Sequence, residues 1–161
     1  MRNLLHYTID VLACQIFYKG CFFTRTYSVA ETERFAAELA GRLPDGCRAV
    51  ALRGDLGAGK TAFTRGFAAG LGYTGAVSSP TYAIVNEYDG KLFHFDWYRL
   101  SGADELYDLG WDEYLDRGLC VVEWSERAPE ALPPGTLTVM ITVVDENTRE
   151  IDWSYDENIS V

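Results

Sequence analysis

Residues Gly54-Asp55-Leu56-Gly57-Ala58-Gly59-Lys60-Thr61 fit the pattern G-x-x-x-x-G-K-[ST] at every fixed position. Glycines at this spacing let backbone N–H groups turn inward onto phosphate oxygens. A helix opening at the loop adds the partial positive charge of its N-terminus. Lys60 is expected to reach the β- and γ-phosphates and the Thr61 hydroxyl to ligate Mg²⁺, while the backbone from Asp55 to Ala62 wraps the phosphate chain. The chemistry is binding of a nucleoside triphosphate.

Hydrolysis needs more: an acid at the end of a buried strand that holds the metal, directly or through water. Two apolar runs close on a carboxylate, Leu92-Phe93-His94-Phe95-Asp96 and Leu119-Cys120-Val121-Val122-Glu123. Either alone could be a strand cap or a surface charge, but both beside a phosphate loop point to a metal site, with Asp96 and Glu123 as ligands and one of them orienting the attacking water. Between loop and acids lies Val77-Ser78-Ser79-Pro80-Thr81-Tyr82, where a hydroxyl of Ser79 or Thr81 could sense the γ-phosphate. The other reading of that segment is a rigid proline turn opening a strand. Guanine recognition commonly uses Asn/Thr-Lys-x-Asp, and none of the three lysines, Lys19, Lys60 and Lys91, sits in one, so ATP is the expected nucleotide.

The elements that must carry these residues are legible around them. Ser28-Val29-Ala30-Glu31 has the form of a capping box and is followed by helical apolar spacing to about Arg42. Arg48 to Leu52 reads as a buried strand entering the loop, and Thr61 to Leu71 as the helix leaving it, stopped by Gly72. Tyr82 to Tyr88 and Lys91 to Asp96 flank Asp89-Gly90, a tight-hairpin dipeptide. Residues 102–117 read as short helices, 119–123 as a strand, and 137–144 and 150–153 as two more. The expected fold is α/β: one P-loop NTPase-like domain with a mixed parallel and antiparallel sheet flanked by helices.

Composition bounds the function. At 161 residues the chain suits one domain, assigned to 22–161, and 48% hydrophobic content supports a folded core. A net charge of −10 opposes direct binding of nucleic acid, so any RNA the protein serves is expected to be held by a partner. Cys14, Cys21, Cys47 and Cys120 form no CxxC pair, which argues against zinc and for free thiols in a reducing cytoplasm. Residues 1–21 form an N-terminal extension of unassigned role: His6, Asp10 and Gln15 interrupt any signal-like apolar run, and no stretch reaches the roughly 18 apolar residues of a membrane span.

These motifs in this order resemble the TsaE family, also called YjeE, ATPases of bacterial threonylcarbamoyladenosine synthesis in tRNA. The likeness runs from about Tyr27 to Trp153 through GDLGAGKT, TRGFAAGLG, SSPTYAIVNEY, HFDWYRL, DELYDLGWDEYL, VVEW and ALP. The resemblance implies Mg²⁺-dependent ATP hydrolysis in support of a threonylcarbamoyl transferase subunit and its structural paralogue. It implies Thr61 and Glu123 at the metal, Asp96 as an acid needed for hydrolysis, and Trp124 beside the metal acid, where core packing is the other reading. It places adenine between the segment Thr26 to Ser28 and the late strands near Arg149, although an arginine opening a strand is commonly a solvated charge. Trp97 stands where an aliphatic residue is commoner in the family, which should alter packing behind Asp96. Two rival activities remain at this stage. A small-molecule or nucleotide kinase needs an arginine-rich lid, whereas residues 101–118 are acidic; a non-catalytic ATP-sensing adaptor needs no acids at all.

Overall fold

The computed structural model describes residues 21–155. The expected extension at residues 1–21 lies outside them, apart from Cys21, which opens the first strand. Seven strands form one sheet: β1 (Cys21–Thr26), β2 (Ala49–Arg53), β3 (Val85–Tyr88), β4 (Leu92–Asp96), β5 (Leu119–Glu123), β6 (Leu137–Val143) and β7 (Arg149–Tyr155). Their spatial order is β1-β7-β6-β2-β5-β4-β3. The four central strands β6, β2, β5 and β4 run parallel, and antiparallel pairings add β7 and β1 at one end and β3 at the other. This is the mixed sheet expected from the sequence.

Burial explains the pattern of each strand. The central strands β2 and β4 are buried almost throughout because both their faces are covered. Strands β6 and β7 alternate buried and exposed positions, so only one face of that end of the sheet meets the core. On one side, α1 (Val29–Ala40) and α2 (Lys60–Gly70) pack over Val50, Leu52, Val121, Val139 and Ile151. On the other, α3 (Ala103–Asp108) and α4 (Trp111–Arg117) cover Phe93, Phe95, Cys120 and Val122. The two helices α1 and α2 approach so closely that a Cβ on Gly66 would stand 2.1 Å from the Glu33 carbonyl oxygen.

Local signals hold with two corrections. The Ser28 hydroxyl accepts from the Glu31 N–H at 3.1 Å, and the Glu31 carboxylate reaches back to the Tyr27 N–H at 2.8 Å, one residue before the cap. Asp89 and Gly90 both adopt positive φ, 51° and 66°, at the expected hairpin. The strand expected from Tyr82, however, begins only at Val85. Pro80 organises residues 80–84 as a turn, its carbonyl accepting from Ala83 N–H at 3.0 Å and Ile84 N–H at 2.8 Å. Ile84 takes φ 68°, which a β-branched residue resists, and so cannot continue a strand backwards. The second correction is β1, which the sequence reading left outside the sheet and which pairs with β7 along its whole length. Trp97 packs behind Asp96: fully buried, it meets Trp111 edge to face at 5.2 Å, with its indole N–H lacking a hydrogen-bond partner among the described residues.

Candidate active site

The glycine loop runs from the end of β2 into α2, the geometry its motif requires. Gly54 permits this in two ways. Its φ is +143°, and a Cβ there would lie 2.4 Å from the Ile141 carbonyl oxygen on β6. Helix α2 has no side-chain cap at Gly59, which leaves its first N–H groups turned toward the loop. Lys60 Nζ donates to the carbonyls of Gly54 at 2.7 Å and Asp55 at 2.9 Å, and stands 3.9 Å from the centroid of the Trp124 ring. Burial pushes the Lys60 ammonium below its ordinary pKa, opposed by the negative field of Glu123, Glu126, Asp96 and Asp55.

The two strand-end acids meet here because β4 and β5 are parallel neighbours in register, Asp96 opposite Glu123. Both carboxylates are buried. Thr61 Oγ1 donates to Glu123 Oε1 at 2.8 Å, which joins the phosphate loop to the end of β5. Asp96 accepts from Thr81 Oγ1 at 3.0 Å, from the Tyr98 N–H at 2.9 Å and, more weakly, from Ser79 Oγ at 3.4 Å. The segment before β3 is the proline turn that was one of its two readings, and it sets the Ser79 and Thr81 hydroxyls against Asp96. Together these groups line a cleft of about 460 Å³ with Lys60, Thr61, Asp96, Glu123 and Trp124 in its wall and the exposed Leu56 at its mouth.

Trp124 belongs to the cleft and not to the core alone. At φ 59° it turns the chain sharply after β5, stacks obliquely on Tyr98 with 4.9 Å between ring centroids, and presents its face to Lys60. Arg149, expected near the adenine, hydrogen-bonds to the glycine loop and also lines the recess beside it. Its Nε donates to the Ala58 carbonyl at 2.9 Å and its Nη1 to those of Asp145 at 2.8 Å and Thr148 at 3.0 Å. The guanidinium thus braces the back of the glycine loop against the β6–β7 turn. Arg149, Ser28, Thr32, Ala62 and Asn147 line a recess of about 40 Å³ there, in the region where the family resemblance places adenine; it has room for a few waters.

A divalent cation fits the donor set. Thr61 Oγ1 and the carboxylates of Asp96 and Glu123 are hard oxygen donors, as Mg²⁺ requires. Among the described residues no group of three His, Cys, Asp or Glu side chains forms a complete cage. Two acids and a hydroxyl suit an ion that takes its remaining ligands from water and phosphate oxygens.

Sequence reasoning missed His94. It is wholly buried, with Nε2 2.8 Å from Glu123 Oε1 and Nδ1 3.3 Å from the Tyr88 hydroxyl. A signal existed: His94 precedes Asp96 by two residues on a strand and so shares its face.

Comparison with known proteins agrees with this geometry. Residues 26–151 match the family model "Threonylcarbamoyl adenosine biosynthesis protein TsaE". The chain is 45% identical over 134 residues to the tRNA threonylcarbamoyladenosine biosynthesis protein TsaE of Bacillus subtilis, covering 81% of this chain and 83% of that one. It is 46% identical over 114 residues to the protein of the same name in Haemophilus influenzae, covering 68% and 72%. Among solved structures, Bacillus subtilis YdiB superposes with a TM-score of 0.69 at 37% identity, over 86% of this chain and 87% of that one. With a family match across every element that builds the cleft, the chain belongs to the TsaE family.

Proposed function

We propose that this protein binds Mg²⁺-ATP and hydrolyses it to ADP and phosphate in the cytoplasm, in support of threonylcarbamoyladenosine synthesis in tRNA. One observation carries the reading: the Thr61 hydroxyl of the phosphate loop lies 2.8 Å from the Glu123 carboxylate, with Asp96 next to it in register. A loop that only bound phosphate would need neither acid.

Thr61 and Glu123 would hold the ion, with Asp96 beside them. When bound, Mg²⁺ neutralises phosphate charge and polarises the bond to the γ-phosphorus. The residues of the chain supply the rest. Lys60 exchanges its two carbonyl partners for phosphate oxygens. Backbone N–H groups at the start of α2 cradle the phosphate chain. Asp96, oriented by Thr81 and the Tyr98 N–H, accepts a hydrogen bond from the attacking water and directs it at the γ-phosphorus. Trp124 walls the cleft beside Lys60.

The partners proposed are the threonylcarbamoyl transferase subunit and its structural paralogue, with tRNA reached through them. A net charge of −10 makes docking onto a basic patch salt-sensitive. The test is phosphate release by the purified chain, alone and with those partners. Turnover that disappears in Thr61→Ala and Glu123→Ala supports the reading. Silence of the wild type under both conditions overturns it, and ADP formed without free phosphate in the presence of an acceptor would mark a kinase.

A further inference from the structure

Behind Glu123 runs a buried polar chain for which the proposed hydrolysis has no direct use. His94 sits on β4 among apolar neighbours on the same face, Leu92 and Val121. A buried imidazole there costs desolvation that only its two partners offset. Those partners lead in opposite directions. Nε2 meets Glu123 Oε1 at 2.8 Å, the atom that also accepts from Thr61. Nδ1 meets the Tyr88 hydroxyl at 3.3 Å, and that hydroxyl in turn lies 3.3 Å from the carbonyl oxygen of Ser78.

The Ser78 carbonyl is gripped a second time, by Asn86 Nδ2 at 3.1 Å. It opens the segment whose next residues, Ser79 and Thr81, hydrogen-bond to Asp96. The path therefore closes on itself: from Glu123 through His94 and Tyr88 to Ser78, then through Thr81 to Asp96, which neighbours Glu123 across the β4–β5 ladder. Neither His94 nor Tyr88 lines the cleft, so both act through other groups.

We propose that Tyr88 and His94 are positioning residues that tie Glu123 to the Ser78–Thr81 segment, so that the two carboxylates of the site are set as one unit. The proposal rests on the ATPase reading for its kinetic consequence and on geometry alone for its structural one. Two links in series predict a particular pattern. Tyr88→Phe keeps the ring packed on Tyr73 and removes the hydroxyl; His94→Gln keeps an amide donor for Glu123 and loses contact with Tyr88.

Each variant should lower kcat about tenfold with KM for ATP changed less than about twofold, as outer-shell partners of metal ligands do. The double variant should be no slower than the worse single one. Wild-type kcat in Tyr88→Phe, or losses that multiply in the double variant, would overturn the proposal.

A second measurement does not need turnover. The chain holds two histidines, His6 and His94, so the imidazole ¹⁵N resonances of His94 can be assigned with a His6→Gln reference. Both Tyr88→Phe and Glu123→Gln should move them. Unmoved His94 signals in Tyr88→Phe would sink the relay even in a chain that hydrolyses ATP, whereas a wild type without turnover but with moved signals would sink only the ATPase reading.

Discussion

Replacing Arg149 by methionine should weaken nucleotide binding about five- to tenfold without unfolding the protein. Arg149 reaches the loop through its bond to the Ala58 carbonyl at 2.9 Å, with a marginal contact to the Gly57 carbonyl at 3.5 Å. A charge-assisted bond of this kind contributes about 1.5–3 kcal/mol when buried, and about half of that at a partly exposed group. The loop freed by its loss must be ordered again when phosphate binds, at about 1–2 kcal/mol for a residue's backbone. The two routes overlap at about 1–1.5 kcal/mol, or five- to about tenfold in Kd. Calorimetric titration with non-hydrolysable ATP and GTP analogues measures it. A clamp on the loop should weaken both analogues by the same factor, since it never touches the base. Affinity within twofold of the wild type would show that the loop holds itself; a loss confined to the adenine analogue would make Arg149 a base contact instead. The melting temperature of the variant should also fall, by about 2–4 °C for each kcal/mol lost, because the bonds to the 145–148 turn go as well.

Gly66→Ala should destabilise the fold, because the new Cβ would stand 2.1 Å from the Glu33 carbonyl oxygen and force α1 from α2. Overpacking should outweigh the helix propensity gained and leave a net loss of about 2 kcal/mol, read as a fall of roughly 4–8 °C in calorimetric Tm. Burial pushes the Cys120 thiol up to about 12 from an ordinary 9.0. Between those values the folded chain keeps a proton that the unfolded chain releases, so stability should fall as pH rises through that window, by about 1.4 kcal/mol per pH unit. Denaturant titrations at pH 8, 9 and 10 should show this slope reduced in Cys120→Ala, and an identical slope in both chains would contradict it. The exposed pair Arg48–Asp116, at 3.3 Å, should contribute little: Asp116→Asn should change unfolding free energy by less than about 0.5 kcal/mol.

What could be read in the sequence was what spacing encodes. The phosphate loop, its flanking strand and helix, and the two acids lie in contiguous motifs whose chemistry is local. The capping box at Ser28 and the hairpin at Asp89-Gly90 were legible for the same reason. The short edge strand β1 was not, since Cys21–Thr26 earns its place only by pairing with residues 149–154, far along the chain. Tyr82–Ile84 carried strand-like composition and became a turn because two N–H groups converge on the Pro80 carbonyl. Arg149 and His94 show a further limit. Their contacts with the loop and with Glu123 arise only because the topology brings β7 behind the loop and β5 beside β4.

That topology also fixes how the site rests. Lys60 is satisfied by two carbonyls, Thr61 by Glu123, Asp96 by Thr81 and the Tyr98 N–H, and Glu123 additionally by His94. A phosphate entering the cleft therefore exchanges hydrogen bonds instead of supplying missing ones, so each new contact contributes only the difference between partners. The largest differences fall to the charged groups: Lys60, whose ammonium is held below its ordinary pKa by burial, gains most when a phosphate dianion replaces two neutral carbonyls. On the proposed reading Thr61 would gain only if a cation were held by its hydroxyl together with Glu123. Nucleotide without metal should then bind through Lys60 and the loop while leaving the Thr61–Glu123 contact intact, and Thr61→Ala should lower affinity for Mg²⁺-ATP far more than for ATP in the presence of a chelator. Equal losses under both conditions would mean that the Thr61 hydroxyl serves the fold and not the ion.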